Sequence, residues 1–130
     1  MATPAAPDHF RHVEPVEVFA LPQKGNVNPL VEIRLGQMDG GWVWAVWAMH
    51  AIGGFSGPLG NSIEHPRPLD PSRNAALKAA ITSARSQLQR PELKASAHLA
   101  WLDQLEHDQL IQCDLFASFE GEKINMGERA

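Results

Sequence analysis

A chain of 130 residues, 44% hydrophobic and 20% charged, has the composition of an ordinary globular domain and enough length to bury a core without metal or disulfide staples. Its one cysteine, Cys113, excludes an internal disulfide and suggests a reducing compartment. The net charge of −4 conceals a division, with −3 over residues 1–66, +4 over 67–94 and −5 over 95–130, which argues against a strongly basic nucleic-acid binder but leaves a basic middle that either faces an acidic partner or is a solvated helix surface.

The N-terminus, MATPAAPDHFRHVEP, has neither the basic start nor the apolar stretch of a secretory leader. No apolar run approaches the length of a membrane span, so a cytoplasmic protein is expected. Residues 1–15, with Pro4, Pro7 and Pro15 among small and polar neighbours, predict a flexible tail. His9 and His12 stand there at a spacing found in metal sites, but without Cys or acidic partners around them they read as solvated. One α+β domain is expected over 16–120, followed by a second tail over 121–130.

Alternation at 16–21, VEVFAL, predicts a short strand ended by Pro22, and QKGNVNP at 23–29 is a turn-rich connection. The centre of the chain is 30–51, LVEIRLGQMDGGWVWAVWAMHA. Val31, Ile33 and Leu35 recur with the period of a half-buried strand. Asp39, Gly40 and Gly41 tolerate the positive φ of a tight hairpin turn. The β-branched and aromatic residues from Trp42 to Trp47 favour a second strand. Alternation sets Trp42, Trp44, Val46 and Ala48 on one face and Val43, Ala45, Trp47 and Met49 on the other. Neither face is polar, so both are covered or one is a contact surface.

AIGGFSGPLGNSIEHPRP at 51–68 predicts a third short strand near 52–56 and then an irregular loop of a length often used for function. Asp70 as N-cap and Pro71 at the first helical position open a helix that runs until Arg90-Pro91. Leu77, Ile81, Ala84 and Leu88 form its apolar stripe, widened by Ala76 and Ala80. Lys78, Arg85 and Gln89 lie on one flank of the stripe, the best candidate for a positively charged contact. A second helix is expected from Pro91 to about Leu110, with Leu93, Ala97, Ala100, Trp101 and Leu105 inward. Ile111, Leu115, Phe116 and Phe119 fit an amphipathic helix that suits a docking segment or a homodimer contact.

Catalytic patterns are weak. Ser56 in GFSGP is similar only in outline to a nucleophile elbow, because Pro58 follows and the helix begins many residues later. Cys113 needs a histidine nearby in space to act as a nucleophile, and reads more simply as a small buried hydrophobe. The six histidines form neither HExxH nor a His-x3-His pair. His50 and His65, meeting beside Asp39 or Glu64, make the one acid–base constellation worth testing. GGFSGPLG has glycines but no lysine and no helix start, so no phosphate loop is read. No cofactor or metal is expected.

The expected fold is α+β: an antiparallel hairpin or three-stranded sheet packed on two C-terminal helices. The function expected first is that of a small non-catalytic binding or regulatory protein acting by protein–protein contact. One concrete version is an inhibitor of a bacterial nucleic-acid-processing or defence complex of the anti-CRISPR type. Trp42, Trp44, Lys78 and Arg85 are its candidate partner contacts, and His50, Phe55 and His65 a second, loop-based site. The alternatives are a nucleic-acid-binding module that uses the same tryptophans and basic flank, and an enzyme built on His50 and His65.

Overall fold

The structure, a computed structural model, describes residues 9–111. Cys113, Leu115, Phe116, Phe119, the expected tail over 121–130 and residues 1–8 of the expected N-terminal tail therefore lie outside the described residues. In chain order the elements are β1 (Phe10–His12), β2 (Glu17–Leu21), β3 (Val31–Met38), β4 (Gly41–His50), β5 (Gly53–Phe55), β6 (Gly60–Ser62), α1 (Arg73–Leu88), a 3-10 turn (Pro91–Leu93), α2 (Ser96–Glu106) and a π-helical turn (His107–Ile111). The architecture is α+β, as the sequence predicts.

The hairpin of β3 and β4 is the centre of an antiparallel sheet of four strands in the order β2-β3-β4-β5. Asp39 at φ 50° and Gly40 at φ 81° make its tight turn, the geometry whose twist matches the flanking strands. Pairing of Ile33 with Val46 and of Val31 with Ala48 fixes which side chains face inward. That inner face packs on α1 and α2. Val31, Ile33, Leu35, Ala76, Leu77, Ala80, Ile81 and Ala84 are all fully buried there. The alanines let α1 lie close to the sheet, and Leu77 and Ile81 each contribute about 1.5–3 kcal/mol by burial.

The opposite face is covered too, one of the two outcomes its apolar residues allow, by segments that the sequence did not single out. Residues 10–12, expected in the tail, form β1, and it pairs with β6 from the 51–68 loop. Strands of three residues are too short to show a period, so pattern reading passes over them. The ribbon brings Val13 and Leu59 onto Met38, Val43 and Ala45 in a second, smaller core. Trp47 and Met49, farther along the same face, stay half-buried.

Two helix expectations change. Ser72 caps α1, its Oγ accepting from the Ala75 N–H at 3.1 Å. Asp70 is instead committed to a bridge with Trp42, each N–H donating to the other's carbonyl at 2.9 Å. The second helix is broken at its start, because Lys94 takes the left-handed conformation at φ 50° and ends the 3-10 turn. That break resets the helical phase. His98, Leu102 and Leu105 face inward on α2, whereas Ala97 and Ala100, expected inward, are exposed and Trp101 is half-buried. The His98 Nε2 meets the Met49 carbonyl, so it donates there and pins α2 to the end of β4. Arg73 ties the layers together at the other side, with 2.7 and 3.2 Å bonds to Glu17 and 2.6 Å to Gln109.

Candidate partner-binding cleft

Along β4, backbone groups alternate between the two neighbouring strands. The hairpin turn pairs Met38 with Gly41, which directs the odd-numbered residues of β4 toward β3. The even-numbered ones point the other way: Trp42 bonds Asp70, and Ala48 and His50 pair with Phe55 and Gly53 of β5. Between these two partners lie Trp44 and Val46, whose outward N–H and C=O groups meet no hydrogen-bond partner among the described residues. The central strand thus has a notch in its edge.

Two adjoining hollows open on that notch. One, of about 280 Å³, is bordered by Trp42, Trp44, Asn61, Arg67 and Asp70. The other, of about 380 Å³, is bordered by Phe10, Trp44, Val46, Phe55, His65, Arg67 and Gln87. Trp42 and Trp44 lie on the helix-packed face and reach its core with part of each ring. The Arg67 guanidinium stands 6.0 Å from the centroid of the Trp44 ring, a cation–π arrangement. Buried Asn61 holds this wall in place. Its side-chain oxygen accepts from the N–H groups of Ser62 and Arg67, and its amide donates to the Arg67 carbonyl, each at 2.9 Å. Asn61 and Arg67 escaped the sequence reading. The signal was the Gly- and Pro-rich loop itself, since nothing local says which of its residues fold back on β4.

The predicted basic flank divides. Lys78 is exposed. Arg85 instead bonds Asp103 at 3.0 Å and Glu106 at 2.7 Å across the helix pair. Burial works against its charge, but hydrogen bonds and attraction from Glu106 and Asp103 outweigh it and raise its pKa above the ordinary arginine value. Arg85 is therefore a strut between α1 and α2. Replacing it with glutamate is expected to lower stability by about 1–3 kcal/mol, between the values for exposed and buried pairs. The urea midpoint reads this out, and a midpoint equal to that of the parent chain would contradict the assignment.

The histidine constellation loses its Asp39 arm. Asp39 sits at the hairpin turn, bonded to Arg11 at 3.0 and 3.2 Å, while His50 ends β4 about 30 Å away at about 3.3 Å per residue. The His50 ring lies 6.4 Å from that of Phe55, with its Nδ1 buried and without a partner among the described residues. Phe55 borders the hollow that contains His65 and a separate one that contains His50. His9 pairs with Glu64, and His12 stacks edge-on against Phe10 at 4.7 Å. Among the described residues no group of three or more His, Cys, Asp or Glu side chains is placed to hold a metal ion, and no helix is long and apolar enough to cross a membrane. Comparison with family models, curated proteins and solved structures finds no match to this chain.

Proposed function

We propose that this chain is a small non-catalytic binding protein that acts by contact with another protein through the cleft at Trp42, Trp44 and Arg67. The observation that carries the reading is the Arg67–Trp44 stack at the mouth of a concave site. Trp and Arg are the residue types over-represented where protein interfaces concentrate their binding energy, and a concave, partly desolvated setting strengthens their contribution. A small domain with such a surface suits a regulator or inhibitor of a larger assembly, and the lone cysteine suits a cytoplasmic setting. The nucleic-acid alternative has less support: of the two cations assigned to it, Arg85 is already held by Asp103 and Glu106, so few charges remain to neutralise phosphates.

Crosslinked capture from lysate of the source cell tests the proposal. A protein recovered with the parent chain and with Lys78→Glu, but lost with Trp44→Ala and with Arg67→Ala, is the expected result. Recovery of the same set by all four chains would overturn it. Capture of a nucleic acid that disappears with Lys78→Glu would transfer the function to the alternative.

A further inference from the structure

The notch in β4 has a chemistry of its own, set by backbone rather than side chains. The geometry points to an extended, acidic peptide segment of a partner protein as its occupant, added to the sheet as a short strand beside Trp44 and Val46 with its carboxylate on Arg67. This rests on the protein-contact reading above and names the kind of partner that site would take.

Three observations converge on it. The outward N–H and C=O of Trp44 and Val46 have no partner among the described residues, while the residues on either side, Trp42 and Ala48, are paired with Asp70 and Phe55. Alternating donors and acceptors along a strand match another extended backbone, the basis of recognition by strand addition. Trp42 and Ala48 are paired themselves, so the open stretch between them, residues 43–47, is about 13 Å long at about 3.3 Å per residue, enough for a segment of about three or four residues. Its hollow of about 380 Å³ is of the size that binding sites have. Finally, no carboxylate among the described residues pairs with Arg67, whose charge faces the Trp44 ring. A carboxylate on the incoming segment would meet it with charge-assisted hydrogen bonds.

The other exposed edge of the sheet is less suited. β2 lies between Pro15 and Pro22, and its Glu17 is held by Arg73. Flanking prolines and charge are the devices by which natural sheets discourage pairing at an edge.

The test uses the full chain and a phage-displayed library of random seven-residue peptides. Selected peptides are expected to carry Asp or Glu at one preferred position and to lack proline beside it. The best of them should lose about tenfold in affinity with Arg67→Glu. N-methylation of the peptide backbone should weaken binding about three- to tenfold at alternate positions only, because alternate residues of an added strand face the sheet edge. Hydrogen exchange at the Trp44 and Val46 amides should slow when the peptide binds. Protection of these amides in the free chain would show that an internal segment, such as 112–130, already holds the edge, and would overturn the proposal. So would selected peptides indifferent to Arg67→Glu, or protection confined to β2. If the library selects nothing while Trp44→Ala still abolishes capture of a protein partner, strand addition falls and the protein-contact reading stands. If neither experiment registers the cleft, both fall.

Discussion

Gly60→Ala is expected to detach β1 from β6 and to lower the unfolding free energy by about 2–4 kcal/mol, the sum of backbone strain and overpacking. Gly60 has φ 151°, and a Cβ there would lie 1.9 Å from the Arg11 carbonyl oxygen and 2.9 Å from the Phe10 ring. The first contact is with backbone, so no side-chain rotation relieves it. His12, opposite Gly60 in the register, and Arg11, opposite Asn61, must move away together. Because Val13 and Leu59 cover Val43 and Ala45, the loss would also expose the smaller core. Asn61 is the next residue, so the wall that carries Arg67 should loosen as well. The checks are a lower urea midpoint and faster exchange at the Val13 and Ile63 amides, which donate to Leu59 and His9. An unchanged midpoint would mean that the ribbon contributes nothing to stability.

What made the hairpin and α1 legible was periodicity over long segments. Val31, Ile33 and Leu35 alternate through one strand, and Leu77, Ile81, Ala84 and Leu88 recur at helical spacing; both sets are buried. What was illegible depended on distant partners. Nothing in Phe10-Arg11-His12 shows that it pairs with Gly60-Asn61-Ser62, and nothing at Asp70 shows that its backbone serves Trp42 rather than a helix start. The inward set of α2 was misread in part, Leu105 being inward as expected but His98 and Leu102 taking the place of Ala97, Ala100 and Trp101, because the left-handed Lys94 ends the 3-10 turn and α2 starts afresh at Ser96.

The candidate site was half legible for the same reason. Trp42 and Trp44 stand out in any reading, because large aromatics on a strand with no polar face demand either cover or contact. Arg85 looked like a free cation because the acids that take it, Asp103 and Glu106, lie on another helix. Arg67 looked like one charge in a loop, since its place over Trp44 arises only when Asn61 folds that loop onto β4. The notch itself is a property of strand pairing and has no signature in residue identity.

Leu77→Ala should be among the most damaging single truncations in the chain, costing about 3–5 kcal/mol, while Lys78→Ala beside it changes stability by less than about 0.5 kcal/mol. Leu77 has no exposed surface, and it belongs to the same buried core as Ala76, Ala80 and Ile81 of α1 and the sheet residues Ile33, Leu35 and Val46. The neighbours that would have to collapse into the space belong to paired strands and to a helix already close to them, so the void should persist, and persistent voids mark the upper end of the range for such changes. Lys78 is exposed on the same helix, where its aliphatic stem has little to lose. Urea unfolding of the two variants beside the parent chain measures the contrast, with equal slopes expected because the exposed area on unfolding is unchanged. Against a total stability of about 5–15 kcal/mol for a domain, the leucine variant loses a large part of the margin, and Gln87, three turns along α1, would then line the cleft only in the shrinking folded fraction. If the two variants unfold at the same midpoint, α1 is not held to the sheet by its apolar stripe, and the helix-side wall of the cleft needs another support.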